Sequence, residues 1–512
     1  MFKSRVIPRI VFPYVKERKD SYGRDPSVGL RNRSGPNLGH KKVVIEFSSP
    51  NIANKFLSRH LRSTILGAYI SNLYESMGWE VVRLNYLGDW GKPMALLGIG
   101  WERFGSEEAF HSDPEKHLLD VFHRINDLFV PELMASKKAR DDGGDPAEIE
   151  SHGLFAERNT FFKRMEDGDE QALGLWKQVH EASIESYTKL YSRLNISFDD
   201  YSGESQVSPT TMVEVEKILK DKGLSEESGG SWIIDLKKHT GKSGVAIIRD
   251  RAGSSTYLLR DLAAVLERAK KYSFDKMVYV VAADQHTIHF FRLFKILELM
   301  GMSELASKLQ HVHFSDGSHS KKAEHGDTLG DVLDQYQNVT QDLLKANPEK
   351  ASLLGETAEA AGALGISALI THELSARRAN DAAFDISHST SFSPGTGPDL
   401  QYWHAKLCSA LKASSVSIEL SEDEHATLEE EDETNLLRLL IQYPDITHSA
   451  YKSLESAPVI SYLTNVTEQL SLCFDKIEEA AEVPKAYVVL FETTRQVLEN
   501  GMKLLGIVPA AK

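Results

Sequence analysis

The side chains of this chain equipped to do chemistry fall in a few short stretches. Glu46 closes the run KKVVIEF, and Glu204 stands in GESQ. Tyr257 and Asp261 lie four residues apart in YLLRD, which puts both on one face of a helix that starts there. Leu57-Ser58-Arg59-His60 opens a long apolar-spaced run. It sets an imidazole fit for acid or base work beside a guanidinium able to meet a phosphate or hold an oxyanion. Lys321 and Lys322 add charge in a later loop. A lone Glu at a strand end, or an Asp at a helix head, is ordinarily solvated or capping, so only agreement among several positions carries weight.

KKVVIEF is a β-branched apolar run stopped by Ser-Ser-Pro, HLRSTILGAYISNLYESMG has the length and spacing of a buried helix, and WEVVRLNYL reads as a second strand. Strand, loop, helix and strand in this succession form the βαβ pattern of a parallel sheet, whose ligand site lies at the carboxyl ends of the strands. Residues 100–195 are mostly helical and charged, with the loop KKARDDGGDPAEIESHG in their middle, as expected of an insertion between two halves of a sheet domain. Strand patterns return in NISFDDYSGES, SWIIDL and GVAIIRD. The helix DLAAVLERAKKY and the strand KMVYVVAAD follow, and the sheet is expected to resume through them. Beyond about residue 400 the chain reads as amphipathic helices broken at EDEHATLEEEDE and VPKA. The predicted organisation is an N-terminal remnant and linker over 1–40, an α/β domain over 41–390 and a helical domain over 391–512.

A chain of 512 residues needs more than one core. Its 41% apolar and 26% charged composition is that of an ordinary soluble protein. Two cysteines, Cys408 and Cys473, exclude a disulfide framework and a Cys-rich zinc site, which fits a reducing compartment. No apolar run approaches the roughly 20 residues that span a bilayer. Lys3, Arg5, Arg9, Lys16, Arg18 and Lys19 against Glu17 leave a mitochondrial address as the alternative to the cytoplasm, which is the preferred reading. A net charge of −15 argues against a generally basic binder of DNA, and RNA contacts would have to use local patches.

VIEFSSPNIANKF, HLRSTILG and NYLGDWGK together resemble the nucleotide-binding half of a class I arginyl-tRNA synthetase of fungal type. GWERFGSEEAF, DPEKHLLDVFHRIN, FFKRMEDGDEQAL, YSGESQV, STYLLRD, FDKMVYVV, TGPDLQY and TRQVLENGMKLLGI continue the resemblance in order over residues 41–510. It implies a Rossmann-like parallel-sheet catalytic domain with helical insertions and a C-terminal all-α anticodon-binding bundle. The family's N-terminal module is expected to be missing or reduced to a remnant. A guanidinium is planar, permanently charged and carries five donors in a fixed fork, so its site needs carboxylates and neutral acceptors in one plane. Carried over motif by motif, the resemblance assigns arginine to Glu46, Asn51, Glu204, Tyr257, Asp261 and Gln285. Asp261, Tyr257 and a Glu are expected at the guanidinium, with Asn51 and Gln285 at the α-amino or carboxylate end.

The family's His-x-Gly-His turn is replaced here by Leu57-Ser58-Arg59-His60, in which only the second His is kept, and Arg59 is expected to occlude the adenine site. The family's mobile Lys/Arg-rich loop is poorly matched by SDGSHSKKAEHGDTLGDVL, and Pro93-Met94-Ala95 replaces a Gln-aromatic-Gly step. These changes lead to the expectation that ATP is not used and that there is no cofactor. The chain would then resemble the fungal arginine-containing cyclodipeptide synthases, taking arginyl-tRNA and a second aminoacyl-tRNA to form cyclo(Arg-Xaa). Attack on a pre-activated ester needs proximity, a base and a stabilised oxyanion. His60 or Tyr257 would be the acid or base, Arg59 would hold the oxyanion or the tRNA terminal phosphate, and Leu57 and Met94 would line the second pocket. The alternatives are a divergent ATP-dependent arginyl-tRNA synthetase and a non-catalytic regulator that binds tRNA or arginine.

Overall fold

A computed structural model describes residues 6–32, 39–52, 56, 58–241, 244–283, 286–315, 328–380, 385–412, 420–477 and 483–510, the side chains of 58, 59 and 240 excepted. Five strands, β1 (Lys42–Glu46), β2 (Glu80–Leu87), β3 (Asp200–Gly203), β7 (Lys276–Ala282) and β8 (Leu309–Phe314), form a parallel sheet in the order β3-β2-β1-β7-β8. Val43, Val44 and Ile45 are fully buried, as a central strand covered on both faces requires. The chain leaves β1 toward β2 on one side and returns as β7 on the other. The crevice beyond the carboxyl ends of β1 and β7 is therefore the topological switch point, where ligands of such sheets bind.

The helix Ser58–Ser76 makes the crossover from β1 to β2. Between β2 and β3 the chain inserts helices Lys92–Phe104, Pro114–Asp141, Gly153–Glu166 and Glu170–Arg193. Between β3 and β7 it adds a second, antiparallel sheet of β4 (Glu226–Ser228), β5 (Ser231–Asp235) and β6 (Val245–Arg249), then the helix Tyr257–Tyr272. SWIIDL and GVAIIRD thus do not rejoin the parallel sheet as expected. Burial in β6 explains why: Val245 and Ile247 face out while Ala246 and Ile248 face in, the alternation of a half-buried antiparallel strand.

Helices Gly397–Leu411, Glu431–Ser453, Ala457–Asp475 and Lys485–Leu505 pack as the C-terminal bundle, with Phe474 stacked on Phe491 at 4.2 Å. The N-terminal segment adds the helix Ile7–Arg18 to it, burying Ile7, Val11, Phe12 and Val15. Tyr22 donates to the Leu440 carbonyl at 2.8 Å, and Asn500 donates to the carbonyls of Lys19 and Tyr22. This stretch, read from sequence as a remnant, is a docked helix whose spacing was obscured by Pro8 and Pro13. Among the described residues no single helix is long and apolar enough to cross a membrane.

Candidate active site

A cavity of about 480 Å³ opens at the switch point, and Glu46, Asn51, His60, Glu204, Tyr257 and Asp261 all line it. Each arrives on a different piece of scaffold. Glu46 is the last residue of β1, Glu204 follows β3 directly, and Tyr257 and Asp261 occupy the first turns of their helix. Beyond Glu46 the backbone turns through Ser48 and Ser49 at φ of 68° and 46°, two consecutive left-handed residues that are not glycine. Such positions cost on the order of 1 kcal/mol or more each and persist only where neighbours fix them. Here the Ser48 N–H donates to Ser63 Oγ at 2.9 Å, Ser63 donates to the Val280 carbonyl, and Ser48 Oγ meets the Tyr191 hydroxyl at 2.7 Å. The turn delivers Asn51 against Gly88, where a Cβ would lie 1.7 Å from Asn51 Oδ1. A side chain at Gly88 in NYLGDWG would have to displace the Asn51 amide.

Two of the carboxylates are already engaged. Arg268 Nη1 donates to Glu46 at 2.6 Å, and Arg260 donates to Glu204 through Nε at 2.7 Å and Nη2 at 2.6 Å. All four side chains are buried. Burial pushes the Glu46 carboxyl up to about 7 against the pull of Arg268, and Glu204 up to about 8 against that of Arg260. Asp261 differs, because its near partner is His289, with Nε2 2.7 Å from Oδ2. With the two glutamates paired to internal guanidinium groups, Asp261 is the negative charge left for a cationic ligand in this wall. The expectation that a glutamate stands with Asp261 at the guanidinium meets a chain whose own arginines hold both.

One face of the helix Glu170–Arg193 braces the opposite wall. Trp176 Nε1 donates to the Asp89 carbonyl at 2.7 Å, and His180 pairs with the Asp89 carboxylate at 3.1 Å. Tyr187 donates to the Asn51 carbonyl at 3.4 Å, and the Tyr191 hydroxyl takes Ser48 together with an N–H of Asn85.

Gln285, Leu57, Lys321 and Lys322 lie outside the described residues, as does the Arg59 side chain, although Arg59 itself sits in the first turn of its helix. Met94 does not line the cavity. It is 2% exposed in the core, because its face of the helix Lys92–Phe104 turns inward with Leu97. Sequence reasoning missed Arg260, Arg268 and His289. A signal existed for Arg268: it follows Asp261 by seven residues and so shares the face that carries the site, on a helix otherwise apolar there.

The family model for the catalytic domain of class I (R) tRNA synthetases matches residues 30–386, and that for the DALR anticodon binding domain matches 400–512. The chain is 41% identical to the cytoplasmic arginine–tRNA ligase of Saccharomyces cerevisiae, over all of this chain and 81% of that protein. It is 38% identical to the mitochondrial arginine–tRNA ligase of the same yeast, over 99% of this chain and 76% of that one. Among solved structures it resembles the arginyl-tRNA synthetase of Plasmodium falciparum, with a TM-score of 0.72 at 22% identity over 93% of this chain and 78% of that one. It also resembles that of Thermus thermophilus, with a TM-score of 0.70 at 17% identity over 100% and 86%. These last two establish the fold, which is the expected Rossmann-like parallel sheet with helical insertions and a helical C-terminal domain.

The same relatives overturn two expectations. A cyclodipeptide synthase that draws on arginyl-tRNA and a second aminoacyl-tRNA finds no support in them, since they are ligases matched along essentially the whole chain. The expectation that ATP is not used falls with it. It rested on substitutions at 57–59, at 93–95 and in the loop after β8; of these, Met94 is buried in the core, and the side chains of 57–59 and the loop lie outside the described residues. A helix N-terminus offers phosphate its backbone N–H groups whatever side chains flank it.

Proposed function

Because the chain belongs to the class I arginyl-tRNA synthetase family, we propose that it is an arginine–tRNA ligase that activates arginine with ATP and esterifies it to tRNA(Arg). The observation that carries the reading is the cavity at the switch point, where paired glutamates leave Asp261 as the charge available to a guanidinium. Tyr257, on the same helix face, supplies a hydroxyl beside it, while Asn51 and Gln285 take the α-amino and carboxylate end. The arginine carboxylate attacks the α-phosphorus of ATP and expels pyrophosphate. A terminal ribose hydroxyl of the tRNA then attacks the acyl carbon and expels AMP. His60 meets the phosphate as it develops charge, a role supported by its position in the first turn of the helix Ser58–Ser76 and on the cavity wall. The helical bundle receives the anticodon end of the tRNA. The first helix is docked, with Arg9 held 2.6 Å from Glu422, which supports a cytoplasmic protein over one whose basic N-terminus serves as an address.

Arginine-dependent exchange of pyrophosphate into ATP, measured with and without tRNA, tests this directly. Exchange above background is the expected result. Its absence in well-folded protein that still binds arginine would overturn the ligase reading at the activation step while leaving the arginine site standing.

A further inference from the structure

We propose that His289 is a positioning residue that sets the charge Asp261 offers to a cationic side chain, so that arginine recognition is tied to one proton. This rests on the reading of the cavity as an arginine site. His289 sits in the first turn of the helix His286–Leu299 and lines the cavity with Asp261, its Nε2 2.7 Å from Oδ2. An imidazole that is neutral, with its proton on Nε2, donates to Asp261 and leaves the carboxylate its full charge. An imidazolium closes that charge, as Arg260 closes Glu204 and Arg268 closes Glu46 in the same cavity. In those two the cation is permanent, because guanidinium does not titrate in a protein. The third has the one side chain whose ordinary titration falls near neutral pH.

The groups that face His289 set the balance. Asp261 is nearest, and Glu204 and Glu46, once ionised, add negative charge from the other wall. Arg292 on its own helix and His311 on β8 oppose it, and His286 lines the cavity beside it. Burial disfavours the imidazolium, but the hydrogen bond and charge of Asp261 outweigh it, and the net displacement is upward. An arginine entering the site brings a second cation to the same carboxylate. It must expel the His289 proton, whereas citrulline, with a neutral urea in place of the guanidinium, need not.

Calorimetric titration of the full chain with arginine and with citrulline, from about pH 5.5 to about pH 8.5 in buffers of different ionisation enthalpy, reads both affinity and protons released. Arginine affinity is expected to fall by up to about tenfold per pH unit below the His289 midpoint, with release approaching about one proton per arginine, while citrulline binding stays level. His289→Gln keeps an N–H for Asp261 and cannot be charged, so it should lose about one proton of the release per arginine and the part of the affinity slope that goes with it. A variant that retains the wild-type slope, or a wild type that releases no proton, overturns the proposal and leaves the arginine site intact. Absence of arginine binding at every pH removes the arginine reading and this proposal together. Should H289Q fail to fold, the His289 imidazole resonance of the wild type decides: arginine must lower its midpoint, and an unchanged midpoint refutes the idea.

Discussion

In the C-terminal bundle Glu433 is fully buried and fully satisfied, with Lys476 Nζ 3.0 Å away and the Tyr487 hydroxyl donating at 2.7 Å. Glu430 and Asp432 share the same lysine, each at 3.0 Å. At the sheet, by contrast, Asp261 faces a cavity and has a histidine where the bundle has a lysine. The two regions use the same kind of side chain for opposite ends. A carboxylate closed by fixed cations organises packing, and one left partly open, between neighbours that are closed, organises binding.

The largest effect that would break this contrast is expected at Arg268. R268A leaves Glu46 buried without its cation and should destabilise the fold by about 3–5 kcal/mol in urea titrations. The double change Glu46→Gln with Arg268→Met should recover most of that loss. An R268A chain as stable as wild type would mean that the pair is not closed at all. In the bundle, Lys476→Met should cost about 2–4 kcal/mol of stability while leaving the arginine dissociation constant within about twofold of wild type. A large shift in arginine binding would show that the two regions are not separate.

Asp261→Asn reverses the pattern. Stability should change by less than about 1 kcal/mol, while arginine binding, measured by calorimetry, should weaken by about 1.5–3 kcal/mol, the worth of a hydrogen bond to a charged group. Last is the effect of pH on folding, which is spread over several pH units. Glu46 and Glu204 hold protons up to about 7 and about 8, which the unfolded chain has released from about pH 4.5. The folded state therefore binds more protons across that window, and unfolding free energy falls as pH rises through it, by at most about 1.4 kcal/mol per pH unit for each group. E46Q should flatten its share of the slope.

Much of this was legible in the residues. The buried run at β1, the apolar spacing of Ser58–Ser76 and the second strand predict the βαβ unit because each pattern is local. The four-residue spacing of Tyr257 and Asp261 places both on the cavity wall for the same reason. The role of Arg260, Arg268 and His289 was not legible, because it depends on which carboxylates the sheet order brings beside them. The antiparallel placement of β5 and β6 also escaped notice, since short strands of either kind look alike until their burial is known. The ATP reading failed differently. It gave a short stretch at 57–59 more authority than the agreement of the chain as a whole.

The brace along Glu170–Arg193 has a mechanical consequence. Its side chains grip the turn after β1 through Ser48 and Asn51, and the loop after β2 through Asp89. Two loops that belong to different strands are thereby clamped to one stiff rod and cannot travel independently. Whatever strain a ligand imposes on that wall is transmitted along the rod into the insertion, and a push on the insertion reaches both loops at once.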